Sequence, residues 1–149
     1  MVEKTSFYFD VTAADNDASL IARGDAHGRV SLKAGADRLI VVVEGEPTGE
    51  CLLECFHAGI EQKILLPDMR TFVDLTRFFG GVDWKAVFGL RHLAPWGEGG
   101  TGNARVAYLF RDTDFGASIK ILSAMFTRAR NRGFTDRTLA IQWLDGSER

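Results

Sequence analysis

Residues 71–96, TFVDLTRFFGGVDWKAVFGLRHLAPW, constrain the fold more than any other stretch of this 149-residue chain. TFVDLTRF at 71–78 is a strand-length run rich in aromatic and β-branched residues. Gly80-Gly81 makes a turn, and Asp83 stands where a helix N-cap accepts a backbone N–H. A helix is predicted over 83–94, and Pro95 stops it because the residue before a proline avoids the helical region.

The same alternation runs through the rest of the chain. RLIVVVEG at 38–45 is a continuous apolar run, the pattern of a strand covered on both faces. Thr48 then caps a helix whose Leu52, Leu53, Phe56 and Ile60 share one side and Glu50, Glu54 and Glu61 the other. ARVAYLF at 104–110 is the third strand of this series. Asp114 is placed to cap a helix that buries Ile119, Leu122, Met125, Phe126 and Ala129 and ends at Gly133. GFTD leads through a short strand into a last helix, RTLAIQWL, in which Trp143 and Leu144 close against the sheet. Strand and helix alternate from residue 38 onward, which argues an α/β layer with parallel pairs. Upstream, SFYFDV alternates, and SLIAR and GRVSLKA flank Gly24-Asp25-Ala26-His27-Gly28 as an antiparallel hairpin. The reading is one domain over 1–149, with a β extension over 1–36 and a core over 38–145.

Composition excludes several function classes. The net charge of −2 and the 26% charged residues suit an ordinary globular protein and give no footprint for nucleic acid. Residues 1–50 carry 5 basic and 9 acidic side chains and residues 101–149 carry 8 and 5, too mild an asymmetry to name a partner. The longest aliphatic run, LIVVV at 39–43, is far short of a membrane span, and MVEKTSFYFD lacks a secretory pattern. A cytoplasmic location is the expectation. Cys51 and Cys55 lie four apart on a helix, too far for a disulfide, and should be free thiols.

No motif supplies a catalytic or metal constellation. GEGGTGN at 97–103 matches G-x-G-x-x-G, but a helix precedes it and a strand follows, the reverse of a dinucleotide site. It is read as a connector that tolerates alanine at Gly99 and Gly102, with no nucleotide cofactor. Cys51, Cys55 and His57 sit on different edges of their helix and cannot converge on one metal ion. Arg128, Arg130 and Arg132 fall in the last turn before Gly133, where cations meet a helix C-terminal dipole. In the 83–94 helix, Val82, Ala86, Gly89, Leu90 and Leu93 form the core stripe. Trp84 and Phe88 lie off it, beside Lys85, Arg91 and His92, with Phe79 before the helix and Trp96 after it. Aromatics bordered by cations are what partner surfaces often use.

RLIVVVEGEPTGECL, FVDLTRFFGGVDWKAV, ARVAYLF and GFTDRTLAIQWL, spread over about 38–145, together resemble the SpoIIAA-like branch of the STAS superfamily, the sulfate-transporter and anti-sigma-factor-antagonist domains. The resemblance implies a small mixed sheet with helices mainly on one face and a non-enzymatic regulatory or binding module. The antagonists of that family carry a phosphorylatable serine at the start of the helix after this strand. Gly80-Gly81-Val82-Asp83 occupies the place here without Ser or Thr, so the phosphoswitch does not carry over.

Three functional readings follow. The first is a module that binds a protein partner, or a second copy of itself, through Phe79, Trp84, Lys85, Phe88, Arg91, His92 and Trp96. The second is a carrier that holds a lipid or other apolar molecule beneath that helix. The third is a hydrolase that pairs His92 with Asp83 or Asp74. A convex aromatic patch favours the first, an apolar cavity the second, and a cleft with a carboxylate-oriented imidazole the third.

Overall fold

The computed structural model describes residues 19–35 and 38–146; the SFYFDV segment lies outside them. Six strands form one sheet in the order of the chain: β1 (Ser19–Gly24), β2 (Gly28–Ala34), β3 (Arg38–Gly45), β4 (Arg70–Phe78), β5 (Ala104–Leu109) and β6 (Ala129–Phe134). The β1–β2–β3 pairs are antiparallel and the β3–β4–β5–β6 pairs are parallel. Helices α1 (Gly49–Glu61), α2 (Trp84–Gly89) and α3 (Gly116–Met125) are the three crossovers between parallel strands, and α4 (Arg137–Leu144) follows β6.

Strand periodicity splits the core in two. Leu39, Val41, Val73, Val106 and Tyr108 point to one face, where they pack with Cys55 and Phe56 of α1, and with Leu122 of α3 and the following Phe126. Phe72, Ala107, Leu109 and Phe134 point to the other, where Ala140, Trp143 and Leu144 of α4 cover them. Successive crossovers of one hand, each stepping one strand in the same direction, place their helices on one face. Among the described residues only α4 packs on the second face. The described residues thus form a single α/β domain with a mixed sheet and helices mainly on one side, and the strands at 38–45, 71–78 and 104–110 are neighbours as expected.

The hairpin belongs to that sheet. All seven residues of β2 pair with β3 from Gly28↔Gly45 to Ala34↔Leu39. Glycine is required at the turn into α1: Gly45 has φ +68°, and a Cβ on Gly28 would overlap the Glu44 carbonyl oxygen. Asp25 ties the hairpin loop to α1. Its carboxylate accepts N–H bonds from Thr48 at 3.0 Å, His27 at 2.8 Å and Gly28 at 3.1 Å, and faces the Cys51 thiol at 3.4 Å. The Thr48 N–H, then the His27 N–H, hold this carboxyl well below its ordinary range. A depressed folded-state pKa contributes stability that is complete above the unfolded carboxylate value of about 4 and is lost as pH falls through the folded value. Asp25→Asn deletes the charge and keeps one of the two accepting oxygens. Its melting temperature should fall less steeply than that of the wild type below about pH 4. Parallel acid titration curves would contradict the role given to Asp25.

Four local expectations are corrected. The helix that begins after Asp114 ends at Met125, and Arg130 and Arg132 lie in β6, paired in register with Arg105 and Ala107. No glycine or proline marks this stop. The pairing of β6 with β5 overrides a helical pattern that runs on to Ala129. Arg128 sits in the joint and donates to the Gly100 carbonyl at 3.0 Å. Asp114 does not cap α3: Phe115 holds the N-cap position without a side-chain bond, and its ring stacks on Phe110 at 4.7 Å. Ile60 is exposed, because the buried side of α1 is centred on Cys51, Cys55 and Phe56. The 83–94 helix closes early: α2 has six residues, and Leu90–His92 tighten into a 3₁₀ turn before Pro95. Asp83 caps α2 through the Ala86 N–H at 3.1 Å, and Thr48 caps α1 through the Cys51 N–H at 3.2 Å, both as read. The two cysteines are free and buried, and burial pushes the Cys55 thiol up to about 12.

Candidate functional site: an apolar cavity at the strand ends

The parallel strands β3, β4 and β5 all end on the same side of the domain, where crevices form in sheets of this kind. The thirteen residues of α1 run for about 20 Å and the six of α2 for only about 9 Å at 1.5 Å per residue. The shorter crossover leaves space over the strand ends. A cavity of about 610 Å³ lies there, bounded by α1, α2 and α3. Val41, Val73, Phe56, Trp96, Leu122 and Phe126 form its inner wall. Val43, Leu75, Val87 and Phe110 carry that apolar surface outward. At the mouth stand Thr48, Asp83, Arg111, Asp112, Asp114 and Ser118, with Phe79 at the rim.

The inner wall is well braced. Phe56 and Phe126 both meet the Trp96 ring edge-on, at 5.8 and 6.0 Å between centroids. The Trp96 Nε1 is buried without a hydrogen-bond acceptor among the described residues, a cost of about 1–3 kcal/mol that ring packing must offset. Tyr108 hydrogen-bonds Asn131 at 3.2 Å, and burial pushes its phenol upward. At the rim, Glu46 accepts the Gly81 N–H at 3.0 Å and fixes the turn into α2. The Arg111 guanidinium donates to the carbonyls of Phe78 at 3.0 Å and Thr76 at 3.4 Å and stacks 4.4 Å over the Phe79 ring.

The seven residues singled out from sequence do not share one surface. Trp96 is 3% exposed and belongs to the core, so its place in a surface patch is corrected. The turn after α2 folds it back between Phe56 and Phe126. Trp84 is half-buried against the core and faces the cavity with Val87, whereas Val82, assigned to the core stripe, is exposed. Tightening of the helix at Leu90 rotates the buried side away from the ideal-wheel stripe. Phe88 is 48% exposed on the opposite side, with the Arg91 guanidinium 4.4 Å over its ring. It borders a second groove with Ile121, Met125 and Lys120 of α3. Phe79 is 63% exposed at the cavity rim, and Lys85 is exposed. Trp84 and Phe88 therefore serve different surfaces.

The groups considered for hydrolysis are also apart in their bonding. The His92 Nδ1 lies 3.1 Å from Glu98, Asp83 caps α2, and Asp74 accepts from Thr76 and from Arg137 at 2.8 Å. Burial raises the Asp74 carboxyl, but the Thr76 and Arg137 bonds outweigh it and hold the group low. The glycine loop is a pinned connector. Asp68 accepts the Thr101 N–H and hydroxyl, and Gly97 and Gly100 are buried. Gly99 has open space around it, but Gly102 sits at φ +102°, so the expected tolerance to alanine does not extend to Gly102. Among the described residues no three His, Cys, Asp or Glu side chains converge as metal ligands, and no helix is long and apolar enough to cross a membrane.

A crystal structure of an uncharacterized protein of the DUF3478 family from Shewanella loihica, described as having a SpoIIAA-like fold, superposes on this chain with a TM-score of 0.54. The alignment covers 85% of this chain and 94% of that one at 17% identity. The fold is SpoIIAA-like. No protein-family model matches the chain, and no curated protein does.

Sequence reasoning missed the mouth of the cavity. Arg111 and Asp112 prompt no reading, and Asp114 reads only as a helix cap. A signal was present in Val43, Leu75 and Phe110, apolar residues in the C-terminal parts of two parallel strands and just after a third.

Proposed function

We propose that this SpoIIAA-like domain binds one small apolar or amphipathic molecule in the cavity over the ends of β3, β4 and β5, and acts as a carrier or sensor of it. The cavity is the observation that supports this reading. Its volume of about 610 Å³ lies inside the range of about 300–1,000 Å³ usual for small-molecule sites. Aliphatic and aromatic side chains line the inner wall and polar ones the mouth, an arrangement suited to an apolar body and a polar end.

A ligand selective for the folded state raises its melting temperature, by about 2.7 kcal/mol of added stability at one hundred times the dissociation constant. 1-Decanol, an uncharged chain of suitable size, should therefore raise the melting temperature saturably. An unchanged melting temperature up to the solubility limit of the alcohol would count against the reading. A second reading, docking of a protein partner or a second copy, draws its support from Phe88 and Ile121, exposed beside the groove between α2 and α3.

A further inference from the structure

We propose that the cavity mouth selects the end group of its ligand by charge, and prefers a cationic amphiphile, such as an alkylammonium, to an anionic one. This rests on the cavity being a binding site. The charged side chains at the mouth are Asp83, Asp112 and Asp114 against Arg111, a net of −2.

Helix N-termini are the natural anion sites of such a mouth, because their free N–H groups and the helix dipole favour negative charge. Here the chain supplies its own carboxylates to them. The N-terminus of α1 opens at Thr48 and Gly49. The Asp83 carboxylate lies against it so closely that a Cβ on Gly49 would overlap Asp83 Oδ2, while Asp83 Oδ1 caps α2. Asp112 and Asp114 stand just ahead of the N-terminus of α3, and Asp112 Oδ1 accepts the Asp114 N–H at 3.0 Å. Among the described residues that line the mouth the one cation is Arg111, whose Nη1 donates to the carbonyls of Phe78 and Thr76 and whose guanidinium lies over the Phe79 ring. An anionic end group would meet three carboxylates against this single guanidinium. An ammonium group would meet the same carboxylates as partners.

The test compares three amphiphiles of equal chain length below their micellar concentrations: decyltrimethylammonium, 1-decanol and decanoate. Each displaces the neutral fluorescent probe N-phenyl-1-naphthylamine from the protein. Two net charges acting across about 6–8 Å of water-exposed mouth should favour the cation over the anion by at least about tenfold at low salt, with decanol between them. The ratio should shrink in about 0.5 M NaCl, because exposed charges are screened. In the triple variant D83N/D112N/D114N, which keeps the cap and turn acceptors and leaves Arg111 as the mouth's net charge of +1, the ratio should fall to one or below. Decanoate displacing the probe as well as or better than the cation, while decanol also displaces it, overturns the charge preference and leaves the cavity reading standing. A cation preference that survives unchanged in the triple variant also overturns it. Failure of all three amphiphiles to displace the probe overturns the cavity reading itself.

Discussion

Trp143→Ala should lower the unfolding free energy by about 3–5 kcal/mol, a large share of the roughly 5–15 kcal/mol of a whole domain. Trp143 lies on the sheet face that α4 covers. Its ring packs against Phe134 at 5.8 Å and under the Arg105 guanidinium at 5.2 Å, and Arg105 also donates to its carbonyl. Among the described residues no second helix stands ready to collapse into the space left behind, so most of the cavity cost should be felt. Leu139, on the same helix but 48% exposed, is the control, and Leu139→Ala should stay within about 0.5 kcal/mol of wild type. Urea unfolding measures both. Equal and small losses for the two variants would show that α4 is an appendage.

Val87→Trp should abolish binding of small apolar molecules and leave the fold in place. Val87 is half-buried on α2 and faces the cavity one turn from Trp84. A larger side chain in a filled core forces strain of about 1–3 kcal/mol, but beside a cavity of about 610 Å³ the ring has room to lie in a normal rotamer. It would then occupy the space the ligand needs. Ile121→Trp places the same ring on the separate groove over α3 and should leave ligand binding unchanged.

The fold was legible in the sequence wherever local chemistry and tertiary demand agree. Thr48 and Asp83 cap the helices assigned to them, and the apolar run at 39–43 lies in the strand it reads as, with Leu39 and Val41 buried. Reading failed where strand pairing outweighed helical periodicity. The apolar helix pattern runs from Ile119 to Ala129 with no stop signal before Gly133, yet the backbone groups of residues 129–134 find better partners in β5. The candidate site was half legible. Phe79 and Trp84 do border the cavity, as residues near the turn into α2 must. Phe88 and Trp96 go elsewhere because an ideal helical wheel does not foresee a helix that tightens after six residues and folds its next tryptophan back into the core. The mouth carboxylates were invisible for another reason. Asp83 carries a cap signature, and nothing local says that it also lies over the first turn of α1.

The central claim is that a ligand occupies the space between α1, α2, α3 and the ends of the parallel strands. Trp84 and Trp96 border that space, so a probe held there is excited by energy transfer from tryptophan. The most direct measurement is an equilibrium titration of N-phenyl-1-naphthylamine followed by tryptophan-sensitised emission in wild type, Val87→Trp and Ile121→Trp. The cavity account predicts one probe per chain, bound with equal affinity by wild type and Ile121→Trp and lost in Val87→Trp with its cooperative unfolding retained. Undiminished binding to Val87→Trp, or binding lost only in Ile121→Trp, would contradict it.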